Sequence, residues 1–405
     1  MKKLQKIFLL TAIFAAFSTV HAAPSFSGAI GGSAGFDLDF PLSGGSVGHK
    51  VPLSGFAAVQ ANLAKWCVAR GEIAIDASNF EFDDIFGSAQ AAIKLNELSV
   101  VLIHRTVTAS SFFSGFLGSS DQIGSDSFLM RQFGIEPISS RLSRSATNLA
   151  GLPILRSKGA GISYIVNFDK APVATGAYFY YGKNSTSDKT LNIDARVAYA
   201  SNLVTLDFLA GISAPFQDKY NDEDVVFMIN TLKMHGGINF LAGSKYTHSL
   251  FMQVGIKDIT VKGSGAGETA GDELSFLLEP RINFKKFRMN LTVFAYDSES
   301  VRETIYLSNE MGAAFTFYKD DIETKNGFLT LGIHVIGGIG GKNALDFFKN
   351  FNLTGATYNA YVTPFVELPL SQTSSLEAMT QIGVKDLSGS PALGYKIAAS
   401  VKKTF

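Results

Sequence analysis

Cysteine is reduced to one residue, Cys67, and tryptophan to one, Trp66, in a chain of 405 residues. A single thiol cannot close an internal disulfide, so covalent staples do not hold this fold together. Charge is scarce as well: Asp, Glu, Lys and Arg make up 17% of the chain, against about a quarter in ordinary soluble domains. That deficit points away from a cytosolic enzyme, and 35 basic against 35 acidic side chains leave no cationic excess for nucleic acid. Long apolar runs are also missing. Beyond residue 22 none approaches the roughly 18 residues that a spanning helix requires. Helical transporters and receptors are therefore set aside, even with a mean hydropathy of +0.17. The sequence has no H-E-x-x-H, C-x-x-C, G-x-S-x-G or phosphate-binding glycine loop. No metal, cofactor or catalysis is expected.

What is present begins with a leader. Lys2, Lys3 and Lys6 precede the apolar stretch Ile7 to Phe17, and Val20-His21-Ala22 supplies small residues at a cleavage point. This is the pattern of a secretory signal peptide over residues 1–22, with a single domain expected over 23–405. Cleavage removes three lysines and no acids, so the mature chain is mildly acidic.

The mature chain then alternates from end to end. Leu191, Ile193, Ala195, Val197 and Tyr199 share one face, with Asn192, Asp194, Arg196 and Ala198 on the other. Phe276, Leu278, Ile282 and Phe284 interleave with Glu279, Arg281, Asn283 and Lys285, and Leu329, Leu331, Ile333 and Val335 with Thr330, Gly332 and His334. A period of two means strands whose two faces meet different surroundings. Such strands build either a soluble sheet with its apolar face inward or a membrane barrel with its apolar face outward.

The closing segment separates the two. Tyr395, Ile397, Ala399, Val401, Lys403 and the final Phe405 fall on one face, and Lys396, Ala398, Ser400, Lys402 and Thr404 on the other. An alternating last strand ending in Phe resembles the assembly signal of bacterial outer-membrane β-barrels. That resemblance implies location in the cell outer membrane, a lipid bilayer as surroundings, the outer-membrane assembly machinery as a partner, and a possible homotrimer. The expected fold is an all-β, transmembrane, antiparallel up-and-down barrel of 16 to 18 strands, since lipid tolerates sheet only when it closes on itself. Short turns alternate with longer polar stretches, and the even count places both ends on the periplasmic side.

One segment breaks the rhythm. Thr108 to Leu155 is rich in Ser and Gly, with a short helix expected near Asp126 to Phe133, and follows the fifth strand. It stands where general porins fold a loop into the lumen. A barrel this wide cannot be filled by wall side chains alone, so the segment is either an inward loop that forms the constriction, with Arg131, Glu136, Arg141 and Arg144 as its charges, or an ordinary extracellular loop. Face assignment puts Lys94, Asp194, Arg196, Lys257, Glu279, Arg281 and Lys285 on the lumen wall. Basic groups prevail there, which favours anions by Coulomb attraction.

The expected function is passive diffusion of small hydrophilic solutes with a weak anion lean. Three alternatives remain. Inward aromatics, Tyr178, Tyr180, Phe251, Phe294 and Tyr296, suit a route for long-chain fatty acids or other hydrophobic solutes, although the Asn-Pro-Ala plug signature of such transporters is missing. A surface adhesin or structural barrel is the second. An outer-membrane hydrolase is the third, and would need a Ser or acid within hydrogen-bond reach of a histidine at the membrane boundary.

Overall fold

The computed structural model describes residues 25–77, 91–119, 121–145, 151–155, 158–183, 189–220, 223–229, 232–244, 247–260, 273–284, 287–340, 344 and 354–405. The leader over residues 1–22 and Lys285 lie outside them. The first strands in chain order are β1 (Ser25–Pro41), β2 (Gly48–Lys50), β3 (Leu53–Ala64), β4 (Cys67–Ala77), β5 (Ala91–Arg105), β6 (Ala109–Gly118) and β7 (Gly159–Phe168). Then come β8 (Val173–Lys183), β9 (Lys189–Ala200), β10 (Val204–Tyr220), β11 (Glu223–Ile229), β12 (Lys233–Ala242), β13 (Ser249–Thr260) and β14 (Glu273–Asn283). The last are β15 (Arg288–Ala295), β16 (Met311–Thr324), β17 (Gly327–Gly340), β18 (Thr357–Ser371), β19 (Ser374–Lys385) and β20 (Ala392–Thr404). Among the described residues, two short helices, α1 (Ser127–Phe133) and α2 (Ser298–Arg302), sit in connections.

Every strand pairs antiparallel with its neighbours, and β1 closes the ring against β20 from Ala29↔Thr404 to Pro41↔Ala392. The short β2 pairs with the end of β1, and β11 with the end of β10, so both lie outside the closed ring, which has 18 strands. Gly28 N donates to Phe405 O at 2.9 Å and Phe405 N to Gly28 O at 3.0 Å, so the seam is hydrogen-bonded to its last residue. Closure matters because an unpaired peptide group in hydrocarbon costs several kcal/mol.

The faces are inside out relative to a soluble sheet. Along β9, Ile193 is 62% exposed and Val197 is exposed, whereas Asn192, Asp194 and Arg196 are buried. The same alternation puts Leu250, Leu291, Val335 and Ile397 on the outer surface. Tight turns such as Ser201 to Leu203, Lys325-Asn326 and Gln372-Thr373 share the rim that carries Ser25 and Phe405, and longer connections share the other.

Two boundaries differ from expectation. Alternation suggests strands at 89–96 and 98–107, whereas residues 91–105 form one strand, β5, whose register against β4 slips between Glu72 and Ile73. The bulge breaks the alternation near Glu97, which mimics a strand end. Ala109–Gly118, expected as the start of the long insertion, is strand β6. Its inward Phe112 and Phe116 are as apolar as its outward Phe113 and Leu117, because they pack against the loop core instead of water. The aromatics near the strand ends also divide by face. Phe179 and Tyr181 point to lipid, while Tyr178, Tyr180, Phe294, Tyr296 and Tyr318 are buried inside.

Ala195 lies outward near the middle of β9. Replacing it by Arg is expected to cost about 2–4 kcal/mol, read as a lower urea midpoint for unfolding from vesicles. An unchanged midpoint would mean that Ala195 does not face hydrocarbon.

Candidate functional site: the lumen and its inward loops

The connection between β6 and β7 turns into the barrel and carries its own hydrophobic core. Ile123, Phe128, Leu129, Leu142, Leu152 and Ile154 pack against the wall residues Leu209, Leu241, Phe251 and Leu277. Residues 151–154 return along the start of the loop, with Gly151 N donating to Ser125 O and Ile154 N to Ile123 O, both at 2.9 Å. The wall admits this backbone at Gly255, where a Cβ would stand 2.8 Å from Ile154 O.

Charged groups pin the loop at several points. Arg196 grips Asp207 through two hydrogen bonds of 2.7 and 2.6 Å, also donates to the Asp121 carbonyl, and lies 4.0 Å over the Phe128 ring. Arg131 on α1 joins Glu97 of β5 and Asp121, both at 2.7 Å. Asp126 accepts from Ser139 N and from Asn239 Nδ2, each at 2.8 Å. Burial alone would raise both loop aspartates. Around Asp121 the guanidinium groups of Arg131, Arg70 and Arg196 outweigh it and hold the carboxyl below the usual range. Asp126 has only hydrogen bonds to offset burial, and its carboxyl is pushed up.

A second connection, residues 296–310, also enters. Tyr296 N closes its base on Glu310 O at 2.7 Å, and Asp297 caps α2 by accepting from Ser300 N at 2.7 Å. Tyr306 is its buried anchor. The ring stands edge-on to His334 at 4.6 Å and to Phe365 at 5.7 Å, and the hydroxyl donates to Glu377. Burial, reinforced by the Glu377 charge, raises that hydroxyl and keeps it a donor. Beyond Tyr306, Glu303 and Glu299 reach Lys94 on β5 at 3.5 and 3.8 Å, on the far side of the ring from β15. An antiparallel bridge, Ser145↔Thr304, ties the two loops together.

Beneath these loops, toward the short-turn rim, lies a cavity of about 830 Å³. Arg141 and Arg144 form its roof. Arg141 reaches Glu367 at 2.7 Å and lies 4.8 Å over Tyr318, while Arg144 reaches Glu367 at 3.1 Å and Glu377 at 3.3 Å. Glu367 and Glu377 are directly opposed on β18 and β19. Two carboxylates so placed repel, and Arg144 neutralises both; its own guanidinium is held well above its ordinary pKa by them. Arg281, bonded to Glu279 at 2.7 Å and to Ile138 O at 2.9 Å, and the ion pair Arg288–Asp320 at 3.0 Å complete the charged wall.

A serine, histidine and aspartate also converge on the wall. His235 Nε2 is 2.8 Å from Asp194 and its Nδ1 is 3.2 Å from Ser213 Oγ. The contact crosses Gly211, where a Cβ would collide with both side chains. Ser213 Oγ lies 2.6 Å from Asn192 Oδ1, which only accepts, so the hydroxyl proton is committed there and not to the imidazole. The trio is a structural clasp and not an arranged nucleophile.

The structure thus separates the residues named from sequence. Glu136, Arg141, Arg144, Glu279 and Arg281 line the cavity. Arg131, Arg196 and Asp194 are enclosed in loop and wall clasps, Lys94 holds the second loop, and Lys257 points inward, half-buried, on β13. Glu97, Asp207, Tyr306, Glu367 and Glu377 were missed. Glu367 and Glu377 had a signal, being inward positions of strongly alternating strands; Tyr306 had none, because its role depends on where its loop goes.

A closed antiparallel sheet with a hydrocarbon-facing exterior and a charged, loop-filled lumen is an outer-membrane β-barrel of porin-like fold. No family model and no curated protein matches the sequence. Solved structures are similar in fold alone. Acinetobacter baumannii OccAB3 aligns at a TM-score of 0.51 and 8% identity, covering 94% of this chain and 100% of that one. The outer membrane protein OpdK from Pseudomonas aeruginosa aligns at 0.47 and 10%, covering 94% and 99%. Pseudomonas aeruginosa OccK2 (OpdF), in complex with glucuronate, aligns at 0.49 and 9%, covering 95% and 99%. The barrel belongs in the cell outer membrane.

The Arg196–Asp207 pair is fully buried. Asp207→Asn, which strands the guanidinium, is expected to destabilise the fold by about 3–5 kcal/mol, and the double change Arg196→Met, Asp207→Leu by much less. Urea titration of both variants checks this; equal losses would show that the charge itself is not what matters.

Proposed function

We propose that the protein is a passive porin for small hydrophilic solutes, with the leader over residues 1–22 removed on export. The observation that carries this reading is the charged cavity beneath the two inward loops. Its wall holds Arg141, Arg144, Arg281, Arg288 and Lys402 against Glu136, Glu279, Asp320, Asp321, Glu367 and Glu377. Such a surface favours solutes that exchange water for hydrogen bonds. Among the described residues, the inward Tyr178, Tyr180, Phe251 and Phe294 are buried in the same core cluster as the apolar side chains of the first loop, which leaves them unavailable as an apolar track. With cations and carboxylates nearly balanced, ion selectivity is weak, and any anion lean rests on Arg141 and Arg144 at the roof. Solute identity is set by the fit beneath that roof and not by catalysis.

Planar-bilayer recordings test the proposal. The folded protein is expected to give discrete conductance steps with a reversal potential close to zero in a salt gradient. Arg141→Ala with Arg144→Ala leaves Glu367 and Glu377 uncompensated, so the reversal potential should move toward cation preference. Folded protein that conducts nothing would overturn the porin reading. Unchanged selectivity in the variant would remove the first loop from the conducting path.

A further inference from the structure

The short-turn rim carries cations at regular intervals along one arc. Lys403 lies at the β20–β1 seam, Lys65 in the turn from β3 to β4, Arg105 at the end of β5, and Lys170 in the turn from β7 to β8. Each stands two strands from the next around the ring, a step of about 10 Å at the usual strand spacing. All four are exposed, and among the described residues none pairs with a carboxylate. Exposed apolar side chains accompany them at the same level: Phe405, Trp66, Val107 and Phe168. Aromatic and apolar groups at a strand's end mark the boundary between hydrocarbon and headgroups, so these cations sit at headgroup depth.

We propose that this arc is a binding surface for anionic phospholipid headgroups in the periplasm-facing leaflet. The geometry favours a lipid surface over a soluble acidic partner for two reasons. The charges follow the curved perimeter of the barrel instead of gathering into a compact patch. Each is also coupled to an apolar neighbour that only acyl chains would cover. Lys403 makes the point most directly, because it follows Val401 and precedes Phe405 on the outward face of the last strand. Its stem lies along lipid while the ammonium reaches the interface. Four such groups at about 10 Å spacing, close to one Debye length at physiological salt, act together on a negatively charged leaflet.

The chain carries its own probe. Trp66 is the sole tryptophan, is 59% exposed and directly follows Lys65. Quenching of its fluorescence by brominated phosphatidylglycerol, against brominated phosphatidylcholine in mixed vesicles, measures relative binding of the two lipids at this arc. The full-length barrel is expected to favour phosphatidylglycerol by about fivefold at low salt and to approach equality near 0.5 M salt. The variant K65Q/R105Q/K170Q/K403Q should show equality at all salt concentrations, while K50Q/K385Q on the opposite rim keeps the preference. Equal quenching in the unaltered protein at low salt would overturn the proposal, as would a preference that survives the four substitutions. If the fourfold variant does not fold, the salt series on the unaltered protein decides alone. Binding of soluble polyglutamate in detergent without phosphatidylglycerol preference would assign the arc to an acidic protein and reject the lipid.

Discussion

A peptide group that enters hydrocarbon without a partner cannot borrow one from water, and a sheet in lipid must therefore run around until its first strand meets its last. The β1–β20 seam satisfies this condition from Ala29 to Pro41. Once closure is met with 18 strands, a second condition follows from geometry. The ring is too wide for wall side chains to meet across it, and whatever occupies the centre must come from the connections. The connections after β6 and after β15 supply that matter, and the apolar inward positions of the wall exist to receive it.

The lumen consequently has two characters. On the side of β9 to β14, inward Leu209, Leu241, Phe251 and Leu277 form a dry contact with Ile123, Phe128, Leu129 and Ile154. On the side of β16 to β20, inward Glu367, Glu377 and Lys402 line the cavity. Burying Arg196 and Asp207 in the dry half carries a desolvation cost that their bidentate geometry offsets without a large net gain. What the pair contributes is position, because the guanidinium also holds the Asp121 carbonyl and the Phe128 ring. Fixing the loop's entry in this way fixes where Arg141 and Arg144 stand some twenty residues later.

Much of this was legible in the sequence because lipid imposes a period of two over whole strands. Residues such as Ile193 and Arg196 can be assigned to faces with no knowledge of their neighbours. The strand count agreed only because two misreadings cancel, β5 being read as two strands and β6 as part of the long connection, and alternation alone left open whether that connection turns inward or lies outside. Legibility ended where the interior ceased to be water. Phe112 and Phe116 of β6 face a hydrophobic loop, and their apolar character hid the strand. Arg131 and Arg196 belong to the polar face, yet whether such a residue lines a passage or clasps a loop depends on contacts between segments far apart in the chain. Glu367 and Glu377 belong to adjacent strands whose register places them side by side, and nothing local to either residue reports the Arg144 that joins them.

The second loop sharpens this point about non-local control. Tyr306 is bound to the β17–β19 wall by ring contacts and by the hydrogen bond its hydroxyl donates to Glu377, all short-range and enclosed. Its far end also reaches Lys94, whose distances to Asp76, Glu299 and Glu303 run from 3.5 to 3.8 Å. Partly exposed ion pairs of that length contribute little individually, about 0–1 kcal/mol, whereas a buried aromatic with a charge-assisted hydrogen bond contributes several times more. Tyr306 is therefore the firmer anchor, and the Lys94 contacts only add to the hold that the Ser145↔Thr304 bridge already gives. Because Glu377 serves both Tyr306 and Arg144, displacement of the anchor would reach the cavity roof directly, while displacement at Lys94 would change the outer mouth and leave the Arg144–Glu367 contact in place.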